Sequence, residues 1–344
     1  MREYRTAACL LAVVWWASFS LTVRAAEPPV FNGLPIPTMG GKQFWADEFF
    51  FHQWRIQRNV LTDHCRLLDE HNLRHASGTF RHCRAKLEWI RRDRRLPPMK
   101  GKAVIVVHGL FRTRSSMERL CSYLRERGGY TVFNVGYPST QRDVGSHAQT
   151  LGRVLANLDG IEEISFVAHS MGNIVIRHYL ADRNGGNSPA PPAVRSTAQT
   201  RFTNVRAPRM GRFVMLAPPN HGSLAAVTFA ENGVFKALAG KSGQELGGEW
   251  AKLQGKLATP EFEFGILAGG RNNDIGYNPL LPGDDDGTVS VASTRLAGAS
   301  DFLVLPVLHS SIIYDTKVME CTLRFLEQGH FVSAAARHPV RGGG

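Results

Sequence analysis

The stretch Ile164-Ser165-Phe166-Val167-Ala168-His169-Ser170-Met171-Gly172-Asn173-Ile174-Val175-Ile176 passes from a strand-forming run into a helix across one serine. Ile164, Phe166 and Val167 favour a strand, and the segment from Asn173 onward reads as a helix. Ala168 and Gly172 are small enough for a sharp turn and for close packing of strand on helix. A serine held on such a turn has its hydroxyl lifted clear of the sheet. The new helix then aims its N-terminal N–H groups and positive dipole end at the same point. In a chain with 34 glycines a small-x-Ser-x-Gly pattern also arises by chance, so its surroundings decide its meaning.

From Lys102 onward, strand and helix patterns alternate. The expected strands are Ala103–Val107, Thr131–Val135, Ile164–Ala168, Phe213–Leu216, Phe264–Leu267 and Phe302–Val307. Their unbroken apolar character fits strands buried on both faces, and the alternation fits a mostly parallel central sheet with helices on both sides. Helices are expected from Ser115, where Ser115 and Glu118 suggest a capping box, to the Gly128-Gly129 pair, and then at 146–158, 173–181 and 310–326. The Pro- and Gly-containing stretch 184–209 reads as a surface loop. Residues 223–262 are expected to form either a short helical cap over the site or an ordinary connecting helix.

A serine hydroxyl needs a base within hydrogen-bond reach, and that base needs an orienting carboxylate. The chain offers both after the serine: Asp284-Asp285-Asp286-Gly287-Thr288-Val289 follows one expected strand, and His309 follows the last. With these in order, the pentapeptide resembles the nucleophile elbow of the α/β-hydrolases, in particular bacterial lipases and esterases, with Ala168 in place of the usual first glycine. The resemblance spans roughly 102–327 and implies the α/β-hydrolase fold, with Ser170 as nucleophile and His309 as base. The Asp-Gly-x-Val turn of lipases maps the acid onto Asp286, with Asp284 and Asp285 as turn residues. Val106-Val107-His108-Gly109-Leu110-Phe111 is similar to a lipase oxyanion loop. By that likeness the N–H groups of Leu110 and Met171 form the oxyanion hole, His108 buttresses the loop and Phe111 lines the acyl pocket. Tyr137-Pro138-Ser139-Thr140 and Pro219-Asn220-His221-Gly222-Ser223 also resemble lipase-like segments. His169 and His221 are expected beside the substrate, and His221 is the first alternative to His309 as base.

The function implied is a serine carboxylic-ester hydrolase of the lipase or esterase kind, working through an acyl-enzyme on Ser170 without cofactor or metal. An acyltransferase or an amidase or peptidase would use the same Ser-Asp-His set. A non-catalytic binding protein on this fold is a third, weaker reading, because all the catalytic positions are occupied. The substrate expected is a small-molecule or lipid ester.

Outside the hydrolase-like part, Arg2 and Arg5, the nearly uncharged run Thr6–Val23 and the Val23-Arg24-Ala25 site suggest an export signal over 1–25. The protein is then periplasmic or secreted; an uncleaved membrane anchor is the alternative. Residues 26–43 read as a linker, 44–100 as a small helical, basic N-terminal extension (Leu61, Cys65, Leu68, then Leu87, Ile90), 101–328 as the hydrolase domain and 329–344 as a flexible tail. Formal net charge is +12, and residues 42–100 hold 13 Lys and Arg against 7 Asp and Glu. Contact with an anionic membrane or polysaccharide is one reading of that charge, and a merely soluble basic surface the other. No nucleic-acid motif accompanies it, so nucleic acid is not an expected partner. His64, Cys65, His71, His75, His82 and Cys83 invite a zinc reading, but without a Cys-x-x-Cys pair they read better as surface helices. Cys65, Cys83, Cys121 and Cys321 permit two disulfides or four free thiols, with Cys121 and Cys321 expected on helices over the same sheet face.

Overall fold

The structure, a computed structural model, describes residues 36–37, 42–186, 208–223 and 233–342. The expected export signal, most of the linker and most of the 184–209 loop lie outside the described residues.

The N-terminal part corrects the sequence expectation. Residues of the expected helical extension, joined by two from the expected linker, form an antiparallel sheet of β1 (Ile36–Pro37), β2 (Trp45–Phe51), β3 (Trp54–Asn59), β4 (Cys65–Leu68) and β5 (Leu73–Gly78), in the order β1-β5-β4-β3-β2. Only α1 (Phe80–Asp93) is helical; Thr79 caps it by accepting from His82 N, and Cys83, Leu87 and Ile90 face inward. The spacing of Leu61, Cys65 and Leu68 misleads because Leu61 sits 68% exposed in a turn while the other two belong to one short strand. The sheet is not a separate module. Phe49, Ile56, Leu67, Leu87 and Ile90 share a single core with Leu151, Phe166 and Ile174 of the hydrolase part.

The second sheet contains β6 (Gly101–Val107), β7 (Thr131–Val135), β8 (Ile161–His169), β9 (Arg209–Leu216), β10 (Phe264–Gly269) and β11 (Asp301–Leu305). All are parallel, in the order β11-β10-β9-β8-β6-β7, so each expected strand is present. Between them run α2 (Glu118–Gly128), α3 (Val144–Leu155), α4 (Met171–Asn184), α5 (Gly233–Leu246), α6 (Trp250–Gln254) and α7 (Val291–Thr294), with α8 (Thr316–Gln328) last. The two-residue period of a strand sorts the apolar side chains. Val104, Val106, Val167, Val214 and Leu267 pack with α2 and α8, whereas Ile105, Phe166, Phe213 and Ile266 pack with α3, α4 and the N-terminal sheet. Strand order reverses at β6, whose neighbours β7 and β8 lie on opposite sides of it. That reversal opens a crevice at the carboxyl ends of β6 and β8.

Three further differences have physical causes. The Ser115–Glu118 capping box does not form: a 3-10 turn over Arg114–Met117 precedes α2, Ser115 bonds Thr113, and Glu118 is held by Arg125 and Asn134. The C-terminal residues are ordered rather than a flexible tail. Buried Asp301 accepts from the amides of Phe331 (2.7 Å) and His338 (3.0 Å), and the Phe331 ring packs tilted against Phe325 with centroids 4.8 Å apart. Cys65, Cys83, Cys121 and Cys321 are buried free thiols, with Cys121 and Cys321 in one apolar cluster as expected. Among the described residues no group of three or more His, Cys, Asp or Glu side chains could hold a metal, and no helix is long and apolar enough to cross a membrane.

Candidate active site

β8 ends at His169 and α4 begins at Met171, so Ser170 is the turn itself, at φ 53 and ψ −126. A non-glycine residue in this region is strained and persists only where its surroundings fix it. Here Ser170 N donates to Leu216 O (2.9 Å), and Asn173 returns bonds to Ser170 O from both its N–H (3.0 Å) and its Nδ2 (2.9 Å). Gly172 is required by close approach. A Cβ there would lie 2.7 Å from the carbonyl oxygens of Val107 and His108. Gly109 meets the same limit from the other side, since its Cβ would lie 2.9 Å from Ser170 Cβ.

The loops after β10 and β11 bring Asp286 and His309 to this serine. His309 Nε2 is 2.9 Å from Ser170 Oγ, and His309 Nδ1 is 2.7 Å from Asp286 Oδ2. With the Nδ1 proton donated to the carboxylate, the Nε2 lone pair accepts the Ser170 hydroxyl. Asp286 is buried, and its Oδ1 accepts from Thr288 N (3.0 Å) and Val289 N (2.7 Å), which is why an Asp-Gly-Thr-Val turn can present it. His309 N donates to Asp286 O (2.8 Å), tying base and acid through the main chain as well. Asp284 and Asp285 are spent on the loop: Asp284 accepts from the amides of Arg271 and Asn272, and Asp285 from those of Asn278 and Gly287.

Leu110 and Met171 flank Ser170, the first in the loop after β6 and the second at the first position of α4. Neither amide donates to an acceptor among the described residues, which for Met171 is the ordinary state of the first turn of a helix. His108 lies behind the loop. Tyr137 N donates to its Nε2 (3.4 Å), so Nδ1 carries the proton and donates to Gly109 O (2.9 Å). Tyr137 also stacks on the His108 ring at 4.3 Å and donates its hydroxyl to His108 O at 2.6 Å. Burial pulls the His108 imidazole down to about 4, so it is a neutral prop at ordinary pH.

One expected substrate contact is placed differently. His169 is 2% exposed and donates from Nε2 to His309 O (3.0 Å), so it lies behind the base instead of lining a pocket. Burial first, and then the adjacent His309, push its pKa well below the ordinary histidine value. His221, the alternative base, is exposed with its amide bonded to Ser293 O and stands outside the Ser170–His309–Asp286 series. Phe111 is 48% exposed beside Leu110, and its φ of 59 is strained for an aromatic residue. Sequence reasoning missed Arg177, which is buried in α4 and joins Asn220 Oδ1 (3.0 Å) and Ala258 O (2.9 Å), locking the loop after β9 onto the helix. A lone arginine inside the apolar run Ile174–Leu180 was the available signal.

Strand order and elbow together place the chain in the structural class of the α/β-hydrolase fold, with Ser170, His309 and Asp286 in one hydrogen-bonded series at the elbow. Within that class, residues 98–257 match the family described as "Putative serine esterase (DUF676)". The match is just under half of the chain. It covers the loop after β6 and the elbow and ends before β10, so Asp286 and His309 lie beyond it. No curated protein matches the chain. Among solved structures, the mature lipase BlEst2 of Bacillus licheniformis is similar at 20% identity, covering 63% of this chain and 89% of that one, with a TM-score of 0.43. The lin2722 product of Listeria innocua follows at 16% identity, 71% and 99% coverage and a TM-score of 0.44. An esterase of Pyrobaculum calidifontis has 14% identity, 68% and 78% coverage and a TM-score of 0.43. These likenesses are distant, and the fold assignment rests on the chain's own strand order and elbow.

Proposed function

We propose that this protein hydrolyses carboxylic esters through an acyl-enzyme on Ser170. His309 takes the Ser170 proton as the oxygen attacks the ester carbonyl, and Asp286 holds the imidazole in the right tautomer and stabilises the imidazolium. The carbonyl oxygen becomes an oxyanion that accepts from the Leu110 and Met171 amides at the positive end of α4. His309 then protonates the departing alcohol. Water, deprotonated by the same histidine, cleaves the acyl-enzyme and releases the acid. The observation that carries this reading is the unbroken chain from Ser170 Oγ through His309 (2.9 Å) to Asp286 (2.7 Å) on a strained elbow.

A lipid-like acyl group is the substrate class we favour, because the large apolar side chains of Phe111 and Leu308 stay nearly half exposed next to Leu110 and His309. Release of p-nitrophenol from short- and medium-chain esters tests the reading. Turnover that rises with acyl length and vanishes in Ser170→Ala is expected; a folded protein that turns over no ester would overturn it.

A further inference from the structure

The N-terminal sheet lies outside the matched family segment, yet it grips the part of the molecule that supports the oxyanion loop. β2 is the edge strand of its sheet, and its pairing with β3 shifts register between Asp47 and Phe49. Bulges of this kind re-aim side chains. Here two consecutive acids, Asp47 and Glu48, are both buried although strand alternation would send them to opposite faces.

They do different things. Glu48 pairs with Arg58 (2.9 Å) on β3 and Arg153 (2.8 Å) on α3. Asp47 instead clamps one glycine, Gly136, directly after β7. Its amide donates to Gly136 O (2.8 Å), and its Oδ2 accepts from Gly136 N (2.6 Å). Its other oxygen is fixed by Gln57 Nε2 at 2.7 Å, with Arg55 Nε 3.5 Å away. The residue after Gly136 is Tyr137, whose ring and hydroxyl hold His108, and His108 in turn holds Gly109. A second strut from the same end of the chain, Gln43 Nε2, donates to Arg112 O (3.1 Å) on the far side of Leu110.

We infer that Asp47 is a positioning residue for the oxyanion loop, acting through Gly136, Tyr137 and His108 on the Leu110 N–H. The inference rests on the catalytic reading above and assigns a role in it to a segment with no catalytic group of its own. A buried carboxylate with a donor on each oxygen suits this task. It fixes the peptide of Gly136 from both sides, and a small displacement of an oxyanion donor lowers the rate without weakening ground-state binding.

The test compares Asp47→Asn with Glu48→Gln in the full chain. Each removes one buried charge from the same strand, but only the first disturbs Gly136. Rates are counted per fluorophosphonate-titrated site, so unfolded protein does not contribute. Asp47→Asn is expected to lower kcat about tenfold with KM within about twofold, and to weaken a trifluoromethyl ketone, which forms an oxyanion on Ser170, by the same factor. Glu48→Gln is expected to lose stability with kcat per site within about twofold of wild type. Gly136→Ala supplies a second route if Asp47→Asn does not fold, because its Cβ would press on Asp47 Oδ2 from 3.1 Å. Unchanged kcat per site in both Asp47→Asn and Gly136→Ala, or an equal loss in Glu48→Gln, would overturn the inference. Absence of Ser170-dependent turnover in the wild type would remove the catalytic reading first, and the inference with it.

Discussion

Ser170 is one of four non-glycine residues held at positive φ just beyond the carboxyl ends of neighbouring strands, together with Phe111 (φ 59) after β6, Ala217 (φ 44) after β9 and Asn272 (φ 55) after β10. Strain concentrated this way is maintained by the surrounding hydrogen bonds and belongs to function more often than to stability. Asp286→Asn is expected to lower kcat by roughly 10³- to 10⁴-fold while the protein stays folded, because the amide favours the wrong histidine tautomer; steady-state kinetics on a p-nitrophenyl ester checks this. Two other histidines give a pH signature. Burial holds His108 down to about 4 and His147 down to about 3, against an ordinary value of 6.5. As pH falls the unfolded chain therefore binds protons first. The stability contributed by the two neutral rings is complete above the ordinary histidine value and is lost on acidification towards their folded values. Tm is expected to fall between about pH 6.5 and about pH 4.5, and His147→Leu should flatten that fall. A variant with the wild-type slope would show that another group carries the dependence.

At the scale of elements, the elbow depends on how closely β8, α4 and the loop after β6 approach one another. Gly172→Ala would drive a methyl to 2.7 Å from two backbone carbonyls that have nowhere to move. A loss of about 1–3 kcal/mol in urea unfolding is expected, with more lost in rate than the stability change alone explains. Asp301 governs a second junction. Asp301→Ala leaves the amides of Phe331 and His338 without an acceptor and should release the C-terminal residues to limited proteolysis. These elements also mark what could be read in the chain. The six parallel strands were legible because each carries a mainly apolar run, fully buried at the centre of the sheet and half-buried in the edge strand β11, a pattern that needs no knowledge of its neighbours. Asp286 and His309 could be picked out because one stands in an Asp-Gly-x-Val turn like that of lipases and the other in the loop after the last strand. The N-terminal sheet was not. Its strands are short and broken by turns at His52 and Asp63, with φ of 50 and 56, and its polar residues are buried by partners distant in sequence. His169 was misplaced for the same reason: its partner, the carbonyl of His309, lies 140 residues away.

Across the whole molecule, the hydrolase sheet and the N-terminal sheet share one apolar core, with Phe50 against Phe133 at 5.5 Å and the aromatic run of β2 buried beside α3. A chain beginning at Pro98, where the family match begins, would expose that face and is expected to be insoluble or to lack a cooperative thermal transition. A soluble, cooperatively melting product would show that the N-terminal sheet is dispensable for the fold. The proposed function turns on one activated hydroxyl, and covalent chemistry can locate it. A fluorophosphonate that phosphonylates the protein, followed by peptide mass spectrometry, is predicted to place one adduct on Ser170, with none formed in His309→Ala over the same time. An adduct on any other residue, or labelling of wild type no faster than of denatured protein, would contradict the assignment.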